Sequence, residues 1–302
     1  MGGAVGAGGV RGTGGAGTAG TTGSGTSDAG LTGGGCSADT WPKPANGNNQ
    51  KLTIVVGGKT REYVVGIPSD YSPTKRYPLV FAWHGLGGTG DQVAQGGTRA
   101  GEIYNGYYGL RYASTQAGKP MLFVAGQGLP AANSDSGTDY GWRNTNGEDI
   151  AYTKAVLAWM DQTYCVDADS IFSIGFSYGG IMSNTVGCSM GDAIRAIAPF
   201  SGGGPGFGGP SSTTCTGQVA AFLGHGISDP TVSLSTGQSS RDFWLKANHC
   251  GTTTTPIEPS PCVEYQGCDA DYPVVWCEFD GVHEVKSLET TGAWAFFQRF
   301  MK

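Results

Sequence analysis

The stretch Ser170-Ile-Phe-Ser-Ile-Gly-Phe-Ser-Tyr-Gly-Gly180 joins a β-type run to a helical one through a serine flanked by glycines. Ile171–Ile174 has the apolar composition of a strand covered on both faces. Helical sequence runs from Tyr178 to about Cys188. Between them, Gly175-Phe-Ser177-Tyr-Gly179 fits a glycine-x-serine-x-glycine elbow, in which a sharp turn lifts the serine Oγ above the sheet edge and aims a helix N-terminus at developing negative charge. Gly179 and Gly180 allow the close approach of helix and strand that this turn demands. A second match, Gly187-Cys-Ser189-Met-Gly191, follows helical rather than strand sequence. In a chain with 54 glycines it reads as a chance hit.

Outward from the elbow, short β-rich runs alternate with helical patterns, the signature of βαβ units around a mostly parallel sheet. The expected strands are Leu52–Val56, Glu62–Ile67, Leu79–Trp83, Met121–Ala125, Ile171–Ile174, Ala193–Ala198, Val219–Leu223 and Val274–Phe279. Glu148 to Tyr164 reads as a helix, with Ile150, Val156, Leu157, Met160 and Tyr164 near a 3.6-residue period. A last helix is expected from about Ser287, with Leu288, Trp294, Phe297 and Phe300 turned inward. The fold class is therefore α/β, a mostly parallel central sheet flanked by helices.

Composition narrows the functional classes. A net charge of −6 and a pI near 5.2 leave no basic stripe for phosphates, so no nucleic-acid partner is expected. No apolar run reaches the roughly 18 residues of a membrane span. Eight cysteines at irregular spacing, without paired C-x-x-C knuckles, point to disulfides rather than zinc, and hence to an oxidising, extracellular compartment. Their pairing is not readable from spacing. Residues 1–35 hold 16 of the 54 glycines among Ala, Thr and Ser, and are expected to be a disordered linker. Residues 36–302 are expected to form one catalytic domain. No basic stretch followed by an apolar core opens the chain, and the expectation is that a secretion leader has been removed.

A serine nucleophile needs a histidine base, and the chain has four: His84, His225, His249 and His283. In an α/β-hydrolase the order is serine, then acid, then histidine on a loop after the last strand. His84 precedes Ser177, His225 leaves no room for the acid before it, and His249 follows a helical stretch beside Cys250. His283 follows the strand Val274–Phe279 and precedes the final helix, as the order requires. Asp229, in the loop after Val219–Leu223, is the expected acid, with Asp280 as runner-up. The backbone N–H groups of Tyr178 and of Leu86, in Trp83-His84-Gly85-Leu86-Gly87-Gly88, are the expected oxyanion donors. Trp142 is a candidate stacking wall for acyl group or sugar. This chemistry requires neither metal nor organic cofactor.

Five segments, Tyr77–Gly88, Gly141–Asp149, Gly175–Gly180, His225–Asp229 and Trp276–His283, together resemble the feruloyl esterases of carbohydrate esterase family 1 and the poly(3-hydroxybutyrate) depolymerase-like esterases, in the family's order. The resemblance extends from about Cys36 to the C-terminus. It implies a secreted α/β-hydrolase that cleaves hydroxycinnamoyl esters of plant cell-wall polysaccharide through an acyl-enzyme on Ser177, with Asp229 and His283; separately, the expected partner is an ester-bearing plant polysaccharide or a small aryl ester, and the expected state a monomer. One departure is Glu284-Val285 after the histidine, where relatives often carry a proline nearby. The motifs leave open a polyester depolymerase or an acetyl xylan esterase with the same triad. A non-enzymatic polysaccharide-binding module is the alternative from another class.

Overall fold

All eight expected runs form strands in a computed structural model of the protein, which describes residues 30–37, 42, 49–96, 106–130, 139–205 and 215–302. In chain order, β1 (Asn49–Val56), β2 (Lys59–Gly66) and β3 (Tyr77–Trp83) precede the short helix α1 (Gly90–Gln95). Then come α2 (Leu110–Gln116), β4 (Leu122–Gly126) and the small pair β5 (Leu129–Pro130) and β6 (Tyr140–Gly141). Helix α3 (Glu148–Thr163), β7 (Val166–Phe176), α4 (Tyr178–Ser189), β8 (Ala196–Phe200) and β9 (Ala220–Gly226) carry the chain across the sheet. It ends with α5 (Leu234–Ala247), β10 (Thr254–Pro256), β11 (Val263–Tyr265), β12 (Val274–Phe279) and α6 (Ser287–Gln298).

Ten strands form one sheet in the order β1-β2-β4-β3-β7-β8-β9-β12-β11-β10. The centre, from β4 to β12, is parallel, and antiparallel pairs extend it at both edges. Side chains alternate across it as strand geometry demands. Phe81, Ile171 and Ile197 face one core with Val156, Met160, Met182 and Val186. Val80, Phe172 and Ala198 face the other with Phe296 and Phe297. The parallel order places the C-terminal ends of β3, β7, β9 and β12 along one edge. That is where an open α/β sheet binds its ligands.

Three details differ from the sequence reading. Helix α6 buries Glu289, Gly292, Ala293, Phe296 and Phe297 most deeply, while Leu288, Trp294 and Phe300 are only partly buried. Gly292 lets the helix lie on Phe222, whose Cζ would be 2.3 Å from a Cβ at that position. The antiparallel extension β11–β10 is unexpected, because its short strands are mostly polar and exposed. Most of the expected linker, residues 1–29, lies outside the described residues, but its end does not behave as one. The N–H groups of Thr32 and Gly33 donate to the Asp161 carboxylate, and that of Gly35 to the Asp161 carbonyl.

All eight cysteines pair: Cys36–Cys165, Cys188–Cys215, Cys250–Cys268 and Cys262–Cys277. The first joins the N-terminal segment to the root of β7, and the last fastens β12 to the segment that leads into β11. Among the described residues no helix is long and apolar enough to cross a membrane.

Candidate active site

Ser177 sits between β7 and α4 with φ 58° and ψ −119°, a conformation that a side chain adopts only under constraint. The constraint is visible in its neighbours. The Ser177 N–H donates to the Phe200 carbonyl at 2.9 Å. A Cβ on Gly175 would stand 2.2 Å from the Gly179 carbonyl oxygen, and one on Gly179 would stand 2.0 Å from that of Trp83. No other residue fits at either position. Ser189 of the second match closes α4 instead, its Oγ buried and unbonded among the described residues.

His283 Nε2 lies 2.9 Å from Ser177 Oγ, and its Nδ1 lies 2.7 Å from Asp229 Oδ2. With the carboxylate accepting from Nδ1–H, Nε2 is left to accept the serine proton. Asp229 Oδ1 also accepts the N–H groups of Thr231 and Val232, at 2.8 and 2.9 Å. Burial pushes this carboxyl up, but the bonds from His283, Val232 and Thr231 outweigh it and hold it below the ordinary aspartate value. Of the two expected acids, Asp229 and not Asp280 is hydrogen-bonded to His283.

The loops bearing acid and base are stitched together by main chain. Ile227 N–H donates to the Phe279 carbonyl and Ser228 N–H to that of Gly281, both at 2.9 Å, continuing the β9–β12 register. His225, set aside on chain order, proves to be a buried support. Its Nε2–H donates to the Val232 carbonyl at 2.9 Å and lies 3.5 Å from Asp229 Oδ2. Burial lowers its pKa, so it stays neutral beneath the acid. Its four-residue spacing from Asp229 is the signal that could have marked it. His249 pairs with Asp269 on the exposed surface.

The loop after β3 abuts the nucleophile, since a Cβ on Gly85 would stand 3.5 Å from Ser177 Cβ. Leu86 follows, and Tyr178 opens α4, where backbone N–H groups point out of the helix end. The loop that carries Leu86 and the helix end that carries Tyr178 thus meet at Ser177. His84, the first residue of this loop, donates from Nδ1 to the Gly85 carbonyl at 2.7 Å and accepts at Nε2 from the Gly128 N–H at 3.0 Å. Burial, only partly opposed by the Gly85 bond, drops its pKa to about 4 and keeps it neutral.

Trp142 is not a substrate wall. It is 1% exposed, packs edge-on against Trp83, and donates Nε1–H to the His84 carbonyl at 2.9 Å. Its ring is spent on holding the loop, and no face is left for a ligand. The rest of that segment locks it in turn. Asn144 N–H donates to Asp149 Oδ2 at 2.7 Å, Asn144 Oδ1 accepts the Asp149 N–H at 3.0 Å, and Arg61 Nη2 pairs with Asp149 Oδ1 at 2.7 Å. Both charges of that pair are almost fully buried.

Comparison with known proteins places this geometry. The family described as Phospholipase/Carboxylesterase matches residues 72–265. Feruloyl esterase D of Neurospora crassa is 33% identical over 275 residues, covering 85% of this chain and 88% of the relative. Feruloyl esterase C of Emericella nidulans is 32% identical over 282 residues, covering 89% and 92%. Among solved structures, a CE1 ferulic acid esterase from Anaeromyces mucronatus in complex with ferulic acid superposes with a TM-score of 0.59 at 17% identity, over 88% of this chain and 96% of that one. An acetyl xylan esterase from Aspergillus awamori gives 0.58 at 14% identity, over 82% and 99%. At such identities the structures speak for the fold alone, whereas the family match and the curated relatives carry descent: the chain belongs to the phospholipase/carboxylesterase family of α/β-hydrolases, alongside the fungal feruloyl esterases, and is a carboxylic ester hydrolase.

Proposed function

We propose that Ser177, His283 and Asp229 hydrolyse the ester between a hydroxycinnamic acid such as ferulic acid and a plant cell-wall polysaccharide. The observation that carries the triad is the unbroken hydrogen-bond chain from Asp229 through His283 to a serine held in a strained elbow. His283 Nε2 takes the Ser177 proton as Oγ attacks the ester carbonyl. The N–H groups of Tyr178 and Leu86 receive the oxyanion. The ester C–O bond then breaks, His283 returns the proton to the leaving alcohol, and water releases the acid from Ser177 by the same steps in reverse. Asp229 keeps the imidazole in the right tautomer and stabilises its charged form.

The acyl specificity rests on the names of relatives about one-third identical over most of both chains. Four disulfides support an extracellular site of action, and residues 36–302 act in this reading as one catalytic unit and as a monomer. The test is hydrolysis of methyl ferulate beside p-nitrophenyl acetate, p-nitrophenyl butyrate and poly(3-hydroxybutyrate), by wild type and Ser177→Ala. The expected result is turnover led by methyl ferulate that falls about 10⁴-fold or more in the variant. Preference for butyrate or polymer would keep the triad and replace the substrate. Full turnover by Ser177→Ala would remove the nucleophile.

A further inference from the structure

Among the described residues, five large apolar side chains are about half exposed or more: Val55 at 69%, Leu86 at 62%, Tyr112 at 55%, and Ile227 and Val282 at 49% each. Single exposed apolar residues mean little, but clustered ones mark contact surfaces. Here Leu86 stands on the loop beside Ser177, Ile227 lies two residues before Asp229, and Val282 adjoins His283. Three of the five therefore lie on the loops that carry or adjoin the triad.

Their backbones are fixed. The Ile227 N–H is bonded to the Phe279 carbonyl, and a Cβ on Gly226 would stand 2.4 Å from the Val282 carbonyl oxygen. These loops lie tight against each other. On the opposite side, a Cβ on Gly141 would be 2.5 Å from the Tyr178 ring and 3.4 Å from a Leu86 methyl. Glycine at 141 leaves those two side chains as a shared wall.

Chemistry assigns the two sides. His283 must hand its proton to the leaving oxygen, so the alcohol lies on the side of His283, whose loop carries Val282 and packs against the loop of Ile227. The acyl group lies across Ser177, toward Leu86 and the Tyr178 ring. We propose that this divided apolar rim determines specificity on both halves of the ester, with Leu86 contacting the acyl chain and Ile227 with Val282 contacting an apolar face of the alcohol.

The inference rests on the triad reading but not on ferulate, so its test uses neither ferulate nor sugar. The acyl group is varied at fixed alcohol with p-nitrophenyl acetate and p-nitrophenyl butyrate, and the alcohol at fixed acyl with methyl butyrate and butyl butyrate. Leu86→Ser should lower the butyrate-to-acetate ratio of kcat/KM about fivefold and leave the butyl-to-methyl ratio unchanged. The double variant Ile227→Ser/Val282→Ser should do the reverse. Thermal unfolding should stay near wild type for both, because all three side chains are exposed. Equal shifts in both ratios, or none, with Ser177-dependent turnover intact, would overturn the divided rim alone. Absence of turnover by wild type on every ester would overturn the triad reading with it.

Discussion

On one side of Ser177 the loop Trp83–Gly88 is held by side-chain bonds, through its own His84 to Gly85 and Gly128 and through Trp142 to the His84 carbonyl, whereas on the other side the loops of Asp229 and His283 are held by main-chain bonds that prolong the β9–β12 ladder. The clamp is a relay: Arg61 holds Asp149, Asp149 holds Asn144, and Trp142 from the same segment holds the His84 carbonyl. Each link is buried, so each depends on its partner to stay satisfied. The opposite side needs few side chains, because two parallel strands deliver Asp229 and His283 at adjacent ends.

The comparison can be broken most sharply at the acid. Asp229→Asn retains an oxygen for the Thr231 and Val232 N–H groups but presents an amide to His283, reversing the tautomer. A fall in kcat of about 10⁴-fold with an unchanged melting temperature is expected, read on p-nitrophenyl acetate. A fall below about tenfold would return Asp280 to consideration.

The clamp should instead respond to acid through stability. His84 is neutral in the fold with a pKa of about 4, lower than its ordinary value of 6.5. The unfolded chain therefore binds the proton first, and stability present above the ordinary value is lost as pH falls from about 6.5 towards about 4, by up to roughly 3 kcal/mol. His84→Gln cannot titrate and should flatten that slope, measured by urea unfolding at pH 7, 5.5 and 4. Parallel slopes for the two proteins would show that His84 is not buried as described.

The smallest effect is expected at Trp142. Trp142→Phe keeps the ring but leaves the His84 carbonyl without its donor, and kcat should drop about tenfold with little change in KM, as the oxyanion loop loosens. A raised KM at constant kcat would restore Trp142 as a substrate contact.

These contrasts also explain what was legible beforehand. The strands β3, β7, β8 and β9 announce themselves as apolar runs because they are covered on both faces, and the elbow because only glycine survives at Gly175 and Gly179. His283 emerged by elimination and chain order. Trp142 was misread, because a tryptophan in a polar loop carries no mark of the cavity that will bury it. Chain order sets His84 aside as a base, but nothing local shows that its ring accepts from the Gly128 N–H, 44 residues away. The inward face of α6 is only partly legible, since Phe297 is buried as its size suggests while the approach to Phe222 is made by Gly292, a residue without a side chain.

The bridge between Cys36 and Cys165 has a mechanical meaning. Any pull on the residues that precede it enters the catalytic domain through a covalent link at the foot of β7, the strand that ends at Ser177. The contacts made by Thr32, Gly33 and Gly35 on Asp161 lie ahead of that link and can peel away under tension without passing the load onward. β7 pairs with β3 at Val166 and again from Ile171 to Gly175, and with β8 from Phe172 to Phe176, so force arriving at its root meets rows of hydrogen bonds on both sides in the segment that leads into Ser177.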